Sequence, residues 1–124
     1  MTVREITKDT FISAMPFEIE DGEEFLFESP TAAALWVLTT VKNTGWWKFV
    51  DSPRIDWTGM LSWARALGRP TDSSRLRIEL AASLAGLEGA APSLYNVALR
   101  LDADNRATVF EAIQLLAGGG LRSE

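Results

Sequence analysis

Apolar and polar positions follow two different rhythms in this chain. Up to about residue 51 they alternate in short runs, and from Asp56 onward they recur at a helical period. In FEIEDGEEFLF (17–27) two alternating runs flank Asp21-Gly22, which predicts a β-hairpin. A loop over 21–23 sets Ile19 against Phe25 and Phe17 against Phe27, gathering the bulky side chains on one face, whereas a tighter turn sets Ile19 against Glu24. The favoured register also opposes Glu20 to Glu24, a mildly unfavourable pair unless a cation or partner lies near.

Ser29-Pro30-Thr31 then reads as a serine N-cap with proline at the first helical position. The predicted helix covers 30–43, with Lys42 in its last turn and a stop near Gly45. Leu35, Trp36, Val37, Leu38 and Val41 leave it little polar face, so it should be buried on most sides. Trp46-Trp47-Lys48-Phe49-Val50 reads as a strand for its length and aromatic content. Ser52-Pro53 ends it, and 2–6 is a candidate further strand.

Four helices are predicted behind it. Asp56 caps the first, with Trp57, Met60 or Leu61, Ala64 and Leu67 as its spine and Gly68 as its end. Thr71-Asp72-Ser73 opens the second, along Leu76, Leu80, Leu84 and Leu87, stopped by Gly86 or Gly89. Ser93 caps the third, with Leu94, Val97, Ala98 and Leu101 on one face. Asp102 and Asp104 open the fourth, with Val109, Ala112, Ile113 and Leu116 inward.

The expected fold class is therefore α+β. A small antiparallel β-sheet (17–20, 24–28, 46–50) with one packed helix makes an acidic, aromatic front half, 1–51. A compact bundle of three to four helices, 52–117, packs on it as one domain with a hinge at Ser52-Pro53, and 118–124 forms a flexible Gly-rich tail.

Composition narrows the function classes. With 124 residues, 47% hydrophobic and 23% charged, the chain is long and apolar enough for a core without staples. It has no cysteine, no hydrophobic leader, and a longest apolar run of only Ala32 to Leu38, against the roughly 20 residues a bilayer span needs. A cytoplasmic protein without membrane contact is expected.

Absence of histidine and cysteine removes the usual proton shuttle near neutral pH, the thiol nucleophile and most transition-metal sites. No phosphate loop or dinucleotide fingerprint takes their place. Tyr95, Ser93, Lys48 and Arg54 form no nucleophile–base pair by spacing, so enzymatic activity stays open but is disfavoured, and no cofactor or metal is expected.

Net charge is −5, and residues 1–51 carry nine acids against four bases, with no base between Lys8 and Lys42. That balance argues against nucleic acid as the main partner. Arg65, Arg69, Arg75 and Arg77 around two successive helices resemble a helix-turn-helix only in spacing, which leaves a weak DNA-binding module as the third reading.

Two features remain as candidate sites. Five tryptophans fall between Trp36 and Trp63. Trp36 and Trp63 sit on helical stripes and are expected in the core, while Trp46, Trp47 and Trp57 are candidates for a stacking platform or an interface anchor. A strand would point Trp46 and Trp47 to opposite faces, so at most one should enter the core. Glu18, Glu20, Asp21, Glu23 and Glu24 lack calcium-loop spacing and read as a solvated edge or as a surface for a basic partner. Asp102 and Asp104 have a simpler explanation as helix-capping residues.

The leading expectation is a non-catalytic protein–protein interaction module, an adaptor, assembly factor or regulator, that binds another protein with a basic surface. A homodimer pairing through edge strand 46–50 is a further possibility. The alternative is a small-molecule binder or carboxylate-dependent hydrolase with a tryptophan-lined pocket.

Overall fold

A computed structural model describes residues 5–42, 45–51, 54–67, 69 and 72–122. It is mostly helical with one small antiparallel sheet. Among the described residues there are six α-helices: α1 (Lys8–Ala14), α2 (Ser29–Leu38), α3 (Trp57–Leu67), α4 (Ser73–Leu84), α5 (Leu94–Arg100) and α6 (Ala103–Ala117). Strands β1 (Val50–Asp51) and β2 (Arg54–Ile55) pair Val50 with Ile55 and Asp51 with Arg54.

Helix α2 is the centre of the molecule. Every residue from Ala32 to Leu38 is buried, as the lack of a polar face predicts, and α4 and α6 pack along it. Three consecutive alanines let neighbouring backbones approach closely. The helix ends earlier than its apolar pattern implies. Thr39 and Thr40 turn their hydroxyls back onto the carbonyls of Trp36 (2.6 Å) and Val37 (2.7 Å), the local competition that threonine offers a helix. The core runs from Ile6 to Leu115 and draws on both halves of the chain.

The predicted hairpin at 17–27 does not form. The turn at Asp21-Gly22 is real, with Gly22 at φ 90, but it is closed locally: the Glu20 N–H donates to the Glu23 carboxylate at 2.8 Å. The chain then coils into a 3₁₀ turn, Glu24–Phe27. A strand would put Leu26 on the face opposite Phe25 and Phe27. The 3₁₀ turn buries Leu26 completely and packs both phenylalanines on the same core, so it recovers more apolar surface than the alternating arrangement.

The predicted strand 46–50 is likewise a 3₁₀ turn, Trp46–Phe49, followed by β1. Gly45 at φ 78 swings the chain into it. Among the described residues the expected front-half sheet is replaced by the two-stranded ribbon of β1 and β2, and 46–49 offers no edge strand for the dimer pairing expected there. The expected strand 2–6 falls partly outside the described residues, Glu5 and Ile6 are irregular, and α1 follows where no helix was predicted. The expected hinge, Ser52-Pro53, lies outside the described residues.

The helical half follows its caps closely. Asp72, Ser93 and Asp102 each accept from backbone N–H groups at the starts of α4, α5 and α6, and Asp56 accepts from the Gly59 N–H at 2.9 Å. The predicted stop at Gly68 is outside the described residues. The inward face expected of α6 is corrected, and the residues expected on one face of α5 are divided between core and solvent. Leu94 and Ile113 are exposed, while Leu115 is buried on α6. Nor is the tail free up to Arg122. Its N–H donates to the Ile6 carbonyl and its own carbonyl accepts from the Lys8 N–H, both at 3.0 Å, which pins 122 beside the start of α1.

Candidate functional site

Trp46 and Trp47 have opposite fates. Trp46 is 1% exposed and its indole N–H donates to the Val41 carbonyl at 2.9 Å, so its polar edge is satisfied inside the core. Trp47 is 38% exposed and meets Trp46 edge-on, with ring centroids 5.9 Å apart. Phe17 braces Trp46 in turn at 6.3 Å. The exposed ring thus stands on a stack of aromatic contacts that holds its orientation before any partner arrives.

Around Trp47 lies a hollow of about 260 Å³ lined by Ala14, Pro16, Leu38, Val41, Lys42 and the two tryptophans, with Thr39 at its edge. Pro16 also borders a second, shallower hollow of about 640 Å³ formed by Ile12, Met15, Phe17, Glu18 and Ile19. Together they make an apolar surface where the end of α1 meets the Trp46–Phe49 turn. Ile12 and Trp47 are its most exposed large apolar side chains.

The acidic segment begins on this rim. Glu18 lines the shallow hollow, and Glu18, Glu20, Asp21 and Glu24 are exposed while Glu23 is half-buried. Among the described residues none of these five acids forms an ion pair. Nor do three or more acids converge in a metal-binding geometry among the described residues.

The other tryptophans serve elsewhere. Trp36 is buried in α2 and donates to the Glu111 carboxylate at 3.2 Å. Trp63 packs against Phe49 at 5.5 Å under the Lys48 ammonium, 4.5 Å above its ring. Trp57 lines a different hollow with Asp51, Arg54 and Asp56, sharing no residue with the Trp47 surface. A joint platform of Trp46, Trp47 and Trp57 is therefore not assembled.

The arginines singled out by their spacing are largely committed inside the fold. Arg65 reaches Glu79 at 2.7 Å and Arg75 reaches it at 3.4 Å, and the Ala91 N–H adds a third bond at 3.1 Å. Burial alone would raise the Glu79 carboxyl's pKa. The hydrogen bond from Arg65, that from Ala91, the Arg65 charge and the Arg75 bond outweigh it and hold the group below its ordinary value. Arg77 is buried in α4 and donates to the carbonyls of Thr40 (2.6 Å) and Ser73 (3.1 Å). Desolvation lowers its pKa, against the opposing fields of Asp102 and Asp72.

Sequence reasoning missed Ile12, Pro16 and the Glu79 cluster. The Arg75–Glu79 spacing of four on one helix was the available signal for the last. Nothing in the spacing of Ile12 and Pro16 pointed to Trp47, because only the tertiary fold brings them together. Among the described residues no helix is long and apolar enough to cross a membrane. Comparison with known proteins adds no family to this geometry: no family model, no curated protein and no solved structure matches the chain.

Proposed function

We propose that the protein is a non-catalytic protein-binding module. Its docking face is the apolar surface of Ile12, Pro16, Phe17, Ile19 and Trp47, and its partner presents an apolar segment flanked by basic residues. The observation that carries this reading is a braced, exposed tryptophan beside an apolar hollow whose rim opens onto acids that form no ion pair among the described residues. The acids steer a basic partner into encounter, and the ring supplies rigid area at small entropic cost. Preorganisation of Trp47 by Trp46 and Phe17 lowers the ordering that binding requires.

A tryptophan-lined ligand pocket is less well supported. The hollows beside Trp47 and Trp57 are open to solvent, whereas small-molecule sites enclose most of the ligand. DNA binding is also less well supported, since Arg65, Arg75 and Arg77 bond Glu79 and backbone carbonyls.

Selection from a displayed random-peptide library tests the proposal. Enriched peptides should combine Lys or Arg with large apolar residues. Ile12→Ser and the pair Glu20→Lys, Glu24→Lys, each shown to be folded by circular dichroism, should weaken them by about tenfold or more. Binding should also weaken as salt rises. Peptides without basic bias that bind wild type and variants alike would overturn it.

A further inference from the structure

A second apolar surface lies away from the residues of the Trp47 face and is independent of that reading. Helix α5 points its apolar side outward: Leu94 is 79%, Tyr95 72% and Leu99 61% exposed, and Ala98 beside them is exposed too. Only Val97 of this helix packs on the core cluster. The surface continues onto α6. The Arg106 guanidinium bonds the carbonyls of Ala98 (3.3 Å) and Leu101 at the end of α5. Phe110 and Ile113, both exposed, follow Arg106 by four and seven residues on the same side of α6.

From this surface we infer that α5 is a self-association face, occupied by α5 of a second copy packed antiparallel about a two-fold axis. Self-complementarity selects this occupant. Antiparallel pairing places Leu94 on Leu99 of the partner subunit and Tyr95 on Ala98 of the partner subunit, leucine against leucine and large against small, twice over by symmetry. Residues 89–99 contain no charged side chain, so two chains of net charge −5 bring no like charges together there.

The same lack of charge gives a distinct macromolecular partner nothing to be steered by. A membrane surface fits poorly, since interfacial helices carry a Lys- and Arg-rich polar face and α5 has only Arg100. In size, five exposed side chains including two rings offer on the order of 500 Å², taking aromatic rings at about 150–250 Å² each. A standard interface buries about 800 Å² per partner. The shortfall makes the expected dimer weak, with Kd on the order of 1–100 µM.

Sedimentation equilibrium of the full chain over a concentration series tests this. Wild type should pass from monomer to dimer, and more readily at higher salt, which screens the net charge and is the opposite sign to docking on the acidic face. A chain with Leu94→Lys and Leu99→Lys should be monomeric, as should one with Leu94→Glu and Leu99→Glu. Both should keep the wild-type circular dichroism, because both positions face solvent. Mixed, the two chains should form a heterodimer. Trp47→Ala should dimerise as wild type does, which separates failure of this inference from failure of the docking face. Wild type that stays monomeric up to about 1 mM, a dimer indifferent to the α5 substitutions, or folded variants that fail to pair when mixed would each overturn the inference.

Discussion

Replacing Glu79 with glutamine keeps the shape of the side chain and removes its charge at a point where three segments meet. The carboxylate is buried in α4. It receives Arg65 from α3 at 2.7 Å, Arg75 one turn earlier at 3.4 Å and the Ala91 N–H at 3.1 Å, while Arg65 also holds the Gly89 carbonyl at 2.9 Å. In Glu79→Gln one amide oxygen must serve three donors, and the new NH₂ group faces a guanidinium. Hydrogen bonds to charged groups contribute about 1.5–3 kcal/mol each and neutral ones about 1 kcal/mol. The Arg65 side chain is 40% exposed, so its share is discounted for water, which leaves a net loss of about 2–3 kcal/mol. For a chain of this length that lowers Tm by roughly 10 °C. The effect has a defined pH dependence. Because the folded carboxyl titrates below its ordinary value, its contribution is complete above the unfolded pKa of about 4.3 and is lost as pH falls through the folded pKa. Urea unfolding of both proteins between pH 3 and 7 should show a gap that is constant from neutrality to about pH 5 and closes only below about pH 4. A variant as stable as wild type at pH 7, or a gap that does not narrow in acid, would refute the account of this cluster.

Four further substitutions separate structural from exposed positions. Trp46→Ala should cost about 3–5 kcal/mol in urea unfolding, since it empties a fully buried site, while Trp47→Ala should cost about 1–2 kcal/mol; the reverse order would contradict the assignment of core and surface rings. Gly45→Ala should cost about 1 kcal/mol from the left-handed backbone alone, because an added Cβ at that position meets no atom within 4 Å; thermal melts showing no loss would mean that the φ of 78 is not maintained. Asp102→Ala removes the α6 cap and should cost about 1 kcal/mol, with faster amide exchange confined to the first turn of that helix as its signature.

Local chemistry made the helical half legible. Asp56, Asp72, Ser93 and Asp102 cap backbone groups within three residues of themselves, so their roles need no information from elsewhere in the chain. The burial of α2 was equally plain, because an uninterrupted apolar run leaves no side to give to water. Alternation around Asp21-Gly22 misled for a non-local reason. A strand pair there needs a surface for one face only, whereas α2 and its neighbours offer a core that accepts Phe25, Leu26 and Phe27 together. The same holds for Trp46 and Trp47: one ring in the core and one outside was foreseeable, but a 3₁₀ turn achieves it in place of a strand.

Of the candidate site, the sequence carried the residue types, the acidic stretch and the expectation that at most one of Trp46 and Trp47 enters the core. Which apolar groups would join Trp47 depended on the packing of α1, a helix that the pattern did not announce. The pattern also placed Leu94, Val97, Ala98 and Leu101 on one face of a helix, and the fold divides them, with Leu101 buried, Val97 packed on the core and Leu94 and Ala98 exposed. Sequence by itself determined caps, turns and the most buried helix, because those depend on contacts within one helical turn or on overall polarity. Tertiary structure decided strand against 3₁₀ turn and inward against outward faces, because these depend on how much apolar surface the rest of the chain has left to cover.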